Sequence, residues 1–312
     1  MLFESWGKAC GGLIGEFAAL GAAVSWAVAP ILYRRALSNA SPVSANIVRC
    51  VSNGAVLVLV LVGLGLTGAL ARLPVEVVAV VVVSGVVGLG LGDTLYMVGL
   101  KSVGVARAVP LAATYPLFSL VWSTLLLGQP VTWAAVFGTL VILLGIWLLS
   151  REKADSTVHF RGKFVLTGVA ASLLTAVVWS VSIALMDFAV TMPGVVSSLE
   201  ANYAVVTVRI AGMALVMLAL APLLDRGRGF LKMTRKAVVL LCVGGLVANG
   251  LGWLLMNYSF LNIAESQAVP ISSTTPLFST LAGFAFFREK VTRNNTLGAL
   301  LVVAGVVLIF LV

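Results

Sequence analysis

The sequence is poor in charge, histidine and cysteine, and each shortage closes a class of reading. Charged residues make up 10% of its 312 positions, whereas soluble domains carry roughly 25%. With 61% hydrophobic residues and a mean hydropathy of +1.12, the chain cannot furnish the polar exterior that a water-soluble globule of this length needs. It reads as a membrane protein. The single histidine, His159, lies in the most charged loop, which argues against a histidine-based catalytic or metal centre. The three cysteines, Cys10, Cys50 and Cys242, are scattered and form neither a disulfide frame nor a metal-ligand spacing. The opening residues carry Glu4 and Lys8 and do not follow the pattern of a cleaved signal peptide. A net charge of +9 reads as bases flanking membrane segments, not as a nucleic-acid footprint.

What is present is a duplication. Ala108-Val-Pro-Leu-Ala-Ala-Thr-Tyr-Pro-Leu-Phe-Ser119 returns 160 positions later as Ala268-Val-Pro-Ile-Ser-Ser-Thr-Thr-Pro-Leu-Phe-Ser279. The register holds for Arg49 and Arg209, Gly92 and Gly252, Gly138 and Gly298, and Gly145 and Gly305; near the start, Trp26 pairs with Trp179 at an offset of 153. The expected organisation is a first copy over 1–152, a basic connector over 153–163 and a second copy over 164–312.

A helix needs about 20 apolar residues to cross a bilayer core. Ten segments qualify, at roughly 15–35, 44–66, 76–98, 105–127, 132–150, 164–187, 198–222, 237–260, 266–287 and 294–312. Five segments per copy is an odd number, so the second copy is expected upside down relative to the first. Loop charge agrees. The loops after segments 1, 3, 5, 7 and 9 hold sixteen Lys and Arg, while the opposite side holds Lys8 and Arg72. The predicted fold is an all-α polytopic membrane protein of ten transmembrane helices in two inverted five-helix repeats. This arrangement is a transporter signature, and the basic loops are predicted to be cytoplasmic.

Candidate functional residues follow from what lipid penalises. Proline inside a helix removes a hydrogen bond, and lipid tolerates the freed carbonyl only where neighbours or a water-filled cavity satisfy it. Pro110, Pro116, Pro270 and Pro276 therefore mark segments 4 and 9 as interrupted and cavity-lining, the alternative being kinks satisfied by threonine hydroxyls. Asp93 is the sharpest single residue, since a carboxylate deep in a membrane helix is expensive and functional by default. It is read as a cation or proton site, with Tyr96 one turn on as a hydrogen-bond donor. Gly88-Leu-Gly-Leu-Gly92 reads as close helix packing rather than a phosphate loop. Trp253, the repeat mate of Asp93, forms a stripe with Asn249 and Asn257. Tyr115, Ser272, Ser273 and Thr275 flank the prolines as hydrogen-bonding groups. Trp26 and Trp179 either line the cavity or pack between helices. Arg49 and Arg209 are read as anchors reaching the interface, and Glu16, Asp187, Glu200 and Glu265 as helix-end residues meeting water.

Several of these features together resemble the EamA family of the drug/metabolite transporter superfamily. They are Ala22-Ala-Val-Ser-Trp26 and Ala176-Val-Val-Trp179, the early arginines of segments 2 and 7, the two Pro-Leu-Phe-Ser runs, and the turn Arg288-Glu289-Lys290. Gly128-Gln129-Pro130 departs from the family's glutamate turn in the first copy. The resemblance implies export or exchange of small organic solutes by alternating access around a midplane cavity, with no cofactor and no catalysis. The partners expected are a small-molecule substrate, protons and membrane lipid, with no nucleic acid. The chain is expected in the plasma membrane as a monomer or homodimer. A lipid flippase of the same fold and, more remotely, an intramembrane enzyme are the alternatives.

Overall fold

The protein is seen in a computed structural model that describes residues 2–151, 163–193, 198–278, 281 and 293–310. Among these residues the regular elements are all helical. The first copy contains α1 (Leu2–Ala36), α2 (Pro42–Gly63), the short α3 (Thr67–Ala71) and α4 (Val75–Gly85). A π-helical stretch, Val86–Gly92, then leads into α5 (Asp93–Val103), α6 (Val105–Ala112), α7 (Tyr115–Leu125) and α8 (Trp133–Arg151). The second copy contains α9 (Lys163–Thr191), α10 (Leu199–Leu224) and α11 (Arg235–Gly245). A second π-helical stretch, Leu246–Gly252, leads into α12 (Trp253–Phe260), α13 (Glu265–Ser272) and α14 (Arg293–Phe310).

Among the described residues, seven helical runs are long and apolar enough to cross a membrane: Leu13–Ala36, Pro42–Gly63, Val75–Val103, Arg107–Leu125, Val165–Thr191, Leu199–Leu224 and Arg235–Phe260. They match seven of the ten expected segments. The fifth and tenth are present as shorter apolar helices, Trp133–Leu149 and Thr296–Ile309, and the ninth lies partly outside the described residues. The turn Arg288-Glu289-Lys290 and, apart from Lys163, the connector over 153–163 with His159 lie outside them. Burial is inverted relative to a soluble protein. Leu59, Leu215 and Phe17 point outward with 65% or more of their surface exposed, while Asn46, Asn53, Arg49, Ser84 and Arg209 are buried. The chain is a multi-pass membrane protein.

Local chemistry sets the breaks. Ser41 caps α2, its Oγ accepting from the Ser44 N–H at 3.0 Å, with Pro42 in the first turn where its missing N–H costs nothing. Gly104, at φ 77, supplies the left-handed residue that separates α5 from α6. The helix after α6 breaks at Ala113-Thr114 and resumes as α7 with Pro116 in its first turn. In the second copy α13 ends at Ser272 and helix resumes over 275–278, so Pro276 occupies the same place.

The two copies interleave rather than stand side by side. α1 packs along α11, the second π stretch and α12, while α9 packs along α4, the first π stretch and α5. α2 lies on α10, and α8 lies on α14. The α8–α14 contact is built on glycine. A Cβ on Gly138 would sit 2.8 Å from the Gly305 carbonyl oxygen, and one on Gly145 would sit 2.7 Å from that of Gly298. These helices therefore run antiparallel with backbones touching, a geometry that small residues permit in lipid. The glycines of the first π stretch serve the same end, as expected for packing. A Cβ on Gly92 would come within 2.6 Å of Trp179, and one on Gly90 within 2.5 Å of Met213.

Candidate functional site

Among the described residues, interleaving leaves a cavity of about 110 Å³ with walls from both copies. Helix breaks and π stretches supply much of its lining, which is where helical backbone departs from its ideal ladder. Trp26, Asp93, Tyr96, Tyr115, Trp179, Asn249, Trp253, Ser273, Thr275 and Pro276 all line it. Asn257 and Ser272 do not. Asn257 donates to Asn202 Oδ1 at 3.1 Å, and Ser272 is buried behind the wall, sharing a 3.1 Å hydrogen bond with the Tyr115 hydroxyl. Pro110 and Pro270 lie inside α6 and α13 and are not among the lining residues.

Asp93, read as a cation or proton site, is engaged through both carboxylate oxygens. Its Oδ2 meets Arg49 Nη1 at 2.6 Å, and its Oδ1 accepts from Trp179 Nε1 at 2.7 Å. Arg49 also donates from Nη2 to Asn46 Oδ1 at 2.6 Å and to the Leu89 carbonyl at 3.2 Å. Asn46 in turn donates to the carbonyls of Leu89 and Gly90 in the π stretch. Tyr96, the expected partner of Asp93, lies ring to ring with Trp179 at 4.8 Å, and it is the indole that donates to the acid.

The reading of Arg49 and Arg209 as interfacial anchors is overturned. Their relative exposures are 1% and 0%, and both line the cavity. Each guanidinium is enclosed among neighbouring helices at the cavity wall, where it cannot reach an interface. Arg209 donates from Nη2 to Ser182 Oγ at 2.8 Å and stacks over Trp253 with 3.5 Å from guanidinium carbon to ring centroid. Its Nε and Nη1 have no hydrogen-bond partner. Ser182 is fixed by donating to the Ser84 carbonyl at 2.7 Å. Gly88 makes room for this arrangement, because a Cβ there would collide with Ser182 and reach 3.2 Å from Arg209 Nη2. One cue to the arginines was available in sequence: they are repeat mates on segments whose other charges lie at the ends.

A second polar group sits one helical turn from the cavity wall. Gln129 donates to Asp187 Oδ2 at 2.8 Å and accepts from the Glu265 backbone N–H at 3.0 Å. Glu265 is 0% exposed and Asp187 1% exposed, so these two acids do not meet water as expected. Glu16 is buried as well, whereas Glu200 is exposed. The residue that replaces the family's glutamate turn thus ties α9 to the start of α13.

At the loop end of α10, Asp225 accepts from Ser44 Oγ at 2.8 Å and from the Phe230 N–H at 2.9 Å. Partial burial pushes its carboxyl up, but the Ser44 hydroxyl, the N–H groups of Phe230 and Gly229, and Lys232 together hold it below the usual value.

Comparison with known proteins fits this architecture. The model of the EamA-like transporter family matches twice, over residues 13–151 and 166–311. An uncharacterized transporter of Archaeoglobus fulgidus is 23% identical over 297 residues, which cover 94% of this chain and 96% of that one. A solved crystal structure superposes with a TM-score of 0.73 at 18% identity, covering 94% of each chain, and so shares the fold. Both the family and the relative point to a transporter rather than an enzyme. With two family matches spanning nearly its whole length and a cavity walled by both, the chain belongs to the EamA-like transporter family.

Proposed function

We propose that the chain is a secondary transporter, an exporter or exchanger, that carries small organic solutes across the plasma membrane by alternating access around the central cavity. The observation that carries this reading is the cavity itself. It holds a buried ion pair and a third buried charge at the level where two helices break, a placement typical of transporters. The antiparallel glycine contact between the repeat mates α8 and α14 supports ten membrane segments in two inverted copies. The excess of Lys and Arg on one side supports cytoplasmic loops after segments 1, 3, 5, 7 and 9.

The packing bears on which bodies move. Rocking one sequence copy against the other would separate α1 from α11–α12 and α9 from α4–α5. These are among the most extensive contacts in the molecule. Bodies that exchange their first two helices fit better: α1 and α2 move with α11–α13, and α9 and α10 move with α4–α7. Transport would then proceed by these composite bodies tilting about the α8–α14 pair.

The test is uptake and counterflow of a metabolite panel in proteoliposomes, comparing wild type with Ala112→Trp, which fills the cavity. At least one solute should move faster than in protein-free vesicles, and Ala112→Trp should abolish that flux. Equal flux in the folded Ala112→Trp protein would remove the cavity from the pathway.

A further inference from the structure

Among the lining residues the formal charges are Arg49, Asp93 and Arg209. Arg49 and Asp93 cancel, with both carboxylate oxygens already engaged by Arg49 and Trp179. Arg209 is left as an uncompensated cation, giving the site a charge of +1. Burying a charge without its partner costs more than a desolvated cation–π contact returns. Stacking on Trp253 therefore does not balance the burial of Arg209. The remaining deficit is one that an anionic ligand would remove.

We infer that Arg209 is the recognition point for an anionic group, and that the solute is a small organic monoanion with an apolar body. The inference rests on the transport reading only for its word "solute"; the binding site stands by itself. Arg209 offers the N–H groups of Nε and Nη1, which have no partner. Ser182 and the Trp253 face hold the guanidinium in place. Asn249, one turn before Trp253, also lines the cavity, is 5% exposed and has an unpartnered Nδ2. Three orphaned buried nitrogens on the second-copy wall, Nε and Nη1 of Arg209 and Nδ2 of Asn249, suit an acceptor-only group, and a carboxylate is an organic acceptor whose charge a guanidinium matches. The rest of the wall is aromatic, with Trp26, Tyr96, Tyr115 and Trp179 facing the same space, which favours an apolar remainder. An ammonium group finds no free acid there, because Asp93 is already neutralised.

The experiment uses the full chain in nanodiscs and a panel of matched probes: 3-phenylpropanoate, hexanoate and indole-3-acetate, each beside its carboxamide and its amine analogue. Binding is read by thermal shift and by quenching of intrinsic tryptophan fluorescence. At least one carboxylate should bind, with its amide weaker by about tenfold to a hundredfold, the worth of a charged hydrogen bond. Arg209→Gln should erase that preference, and Arg209→Lys should keep part of it. Arg209→Gln removes an unpaired buried charge, so its unliganded melting temperature should equal or exceed that of wild type; Asn249→Leu gives a second variant that keeps the charge. Carboxylate and amide binding alike, amines binding in preference, no carboxylate binding at all, or an undiminished preference in Arg209→Gln would each overturn the inference. Flux separates it from the transport reading. A neutral solute carried equally by wild type and Arg209→Gln would leave transport standing without the anion site. Carboxylate binding with no flux of any probe would leave the site standing without transport.

Discussion

At the same place in the two copies, one arginine has an acid and the other has an indole. Arg49 faces Asp93 across 2.6 Å; Arg209 faces Trp253, the repeat mate of Asp93, across 3.5 Å. The scaffold around them is alike, with a π stretch, a glycine under each tryptophan and a broken helix opposite. A Cβ on Gly92 would strike Trp179, and one on Gly252 would strike Trp26. The indole N–H groups nevertheless end differently, on Asp93 in one half and on the Ala248 carbonyl in the other. The frame is repeated in both copies, and one difference within it, Asp93 against Trp253, separates a neutral pair from an open charge.

The comparison breaks most severely on the paired side. Arg49→Ala or Asp93→Ala should each cost about 3–5 kcal/mol, since either leaves a buried charge alone. The double variant Arg49→Met/Asp93→Leu should recover most of that loss. Denaturant unfolding in detergent would show it, and additive losses in the double variant would mean that the pair is not coupled. A smaller effect is expected on the other side. Trp253→Leu should cost about 2 kcal/mol from the lost cation–π contact, read by the same unfolding curves. Smallest of all is Asp225→Asn, at the loop end of α10. The Asp225 carboxyl is held below its usual value, so its stabilisation is fully present above about pH 4 and fades as pH falls through the lower, folded value. Wild type and Asp225→Asn should therefore differ in melting temperature at pH 7 and converge in acid.

Much of this frame was legible in the sequence because lipid makes few demands and makes them strictly. Apolar length marked the segments, and the repeated Pro-Leu-Phe-Ser runs marked where helices break. Glycine at 138, 145, 298 and 305 showed the repeat register before the α8–α14 contact explained it. The arginines were misread because snorkelling depends on depth and direction, which a segment boundary uncertain by a few residues does not supply. Asp93 was found but its partner was not, since Arg49 and Asp93 lie 44 positions apart with no periodic relation. Asn257 shares a stripe with Asn249 and Trp253, yet it points to Asn202. A helix face wide enough for three residues spans both a cavity and a neighbour. The Gln129–Asp187–Glu265 group was invisible for the same reason, as it joins three distant parts of the chain.

The central claim is that the two arginines differ in what they leave open, and a structure with ligand tests it most directly. Determined with the tightest-binding carboxylate of the panel, it should show the carboxylate within hydrogen-bond distance of Arg209, while Arg49 and Asp93 stay paired. A carboxylate seated on Arg49, with Asp93 displaced or protonated, would contradict the account.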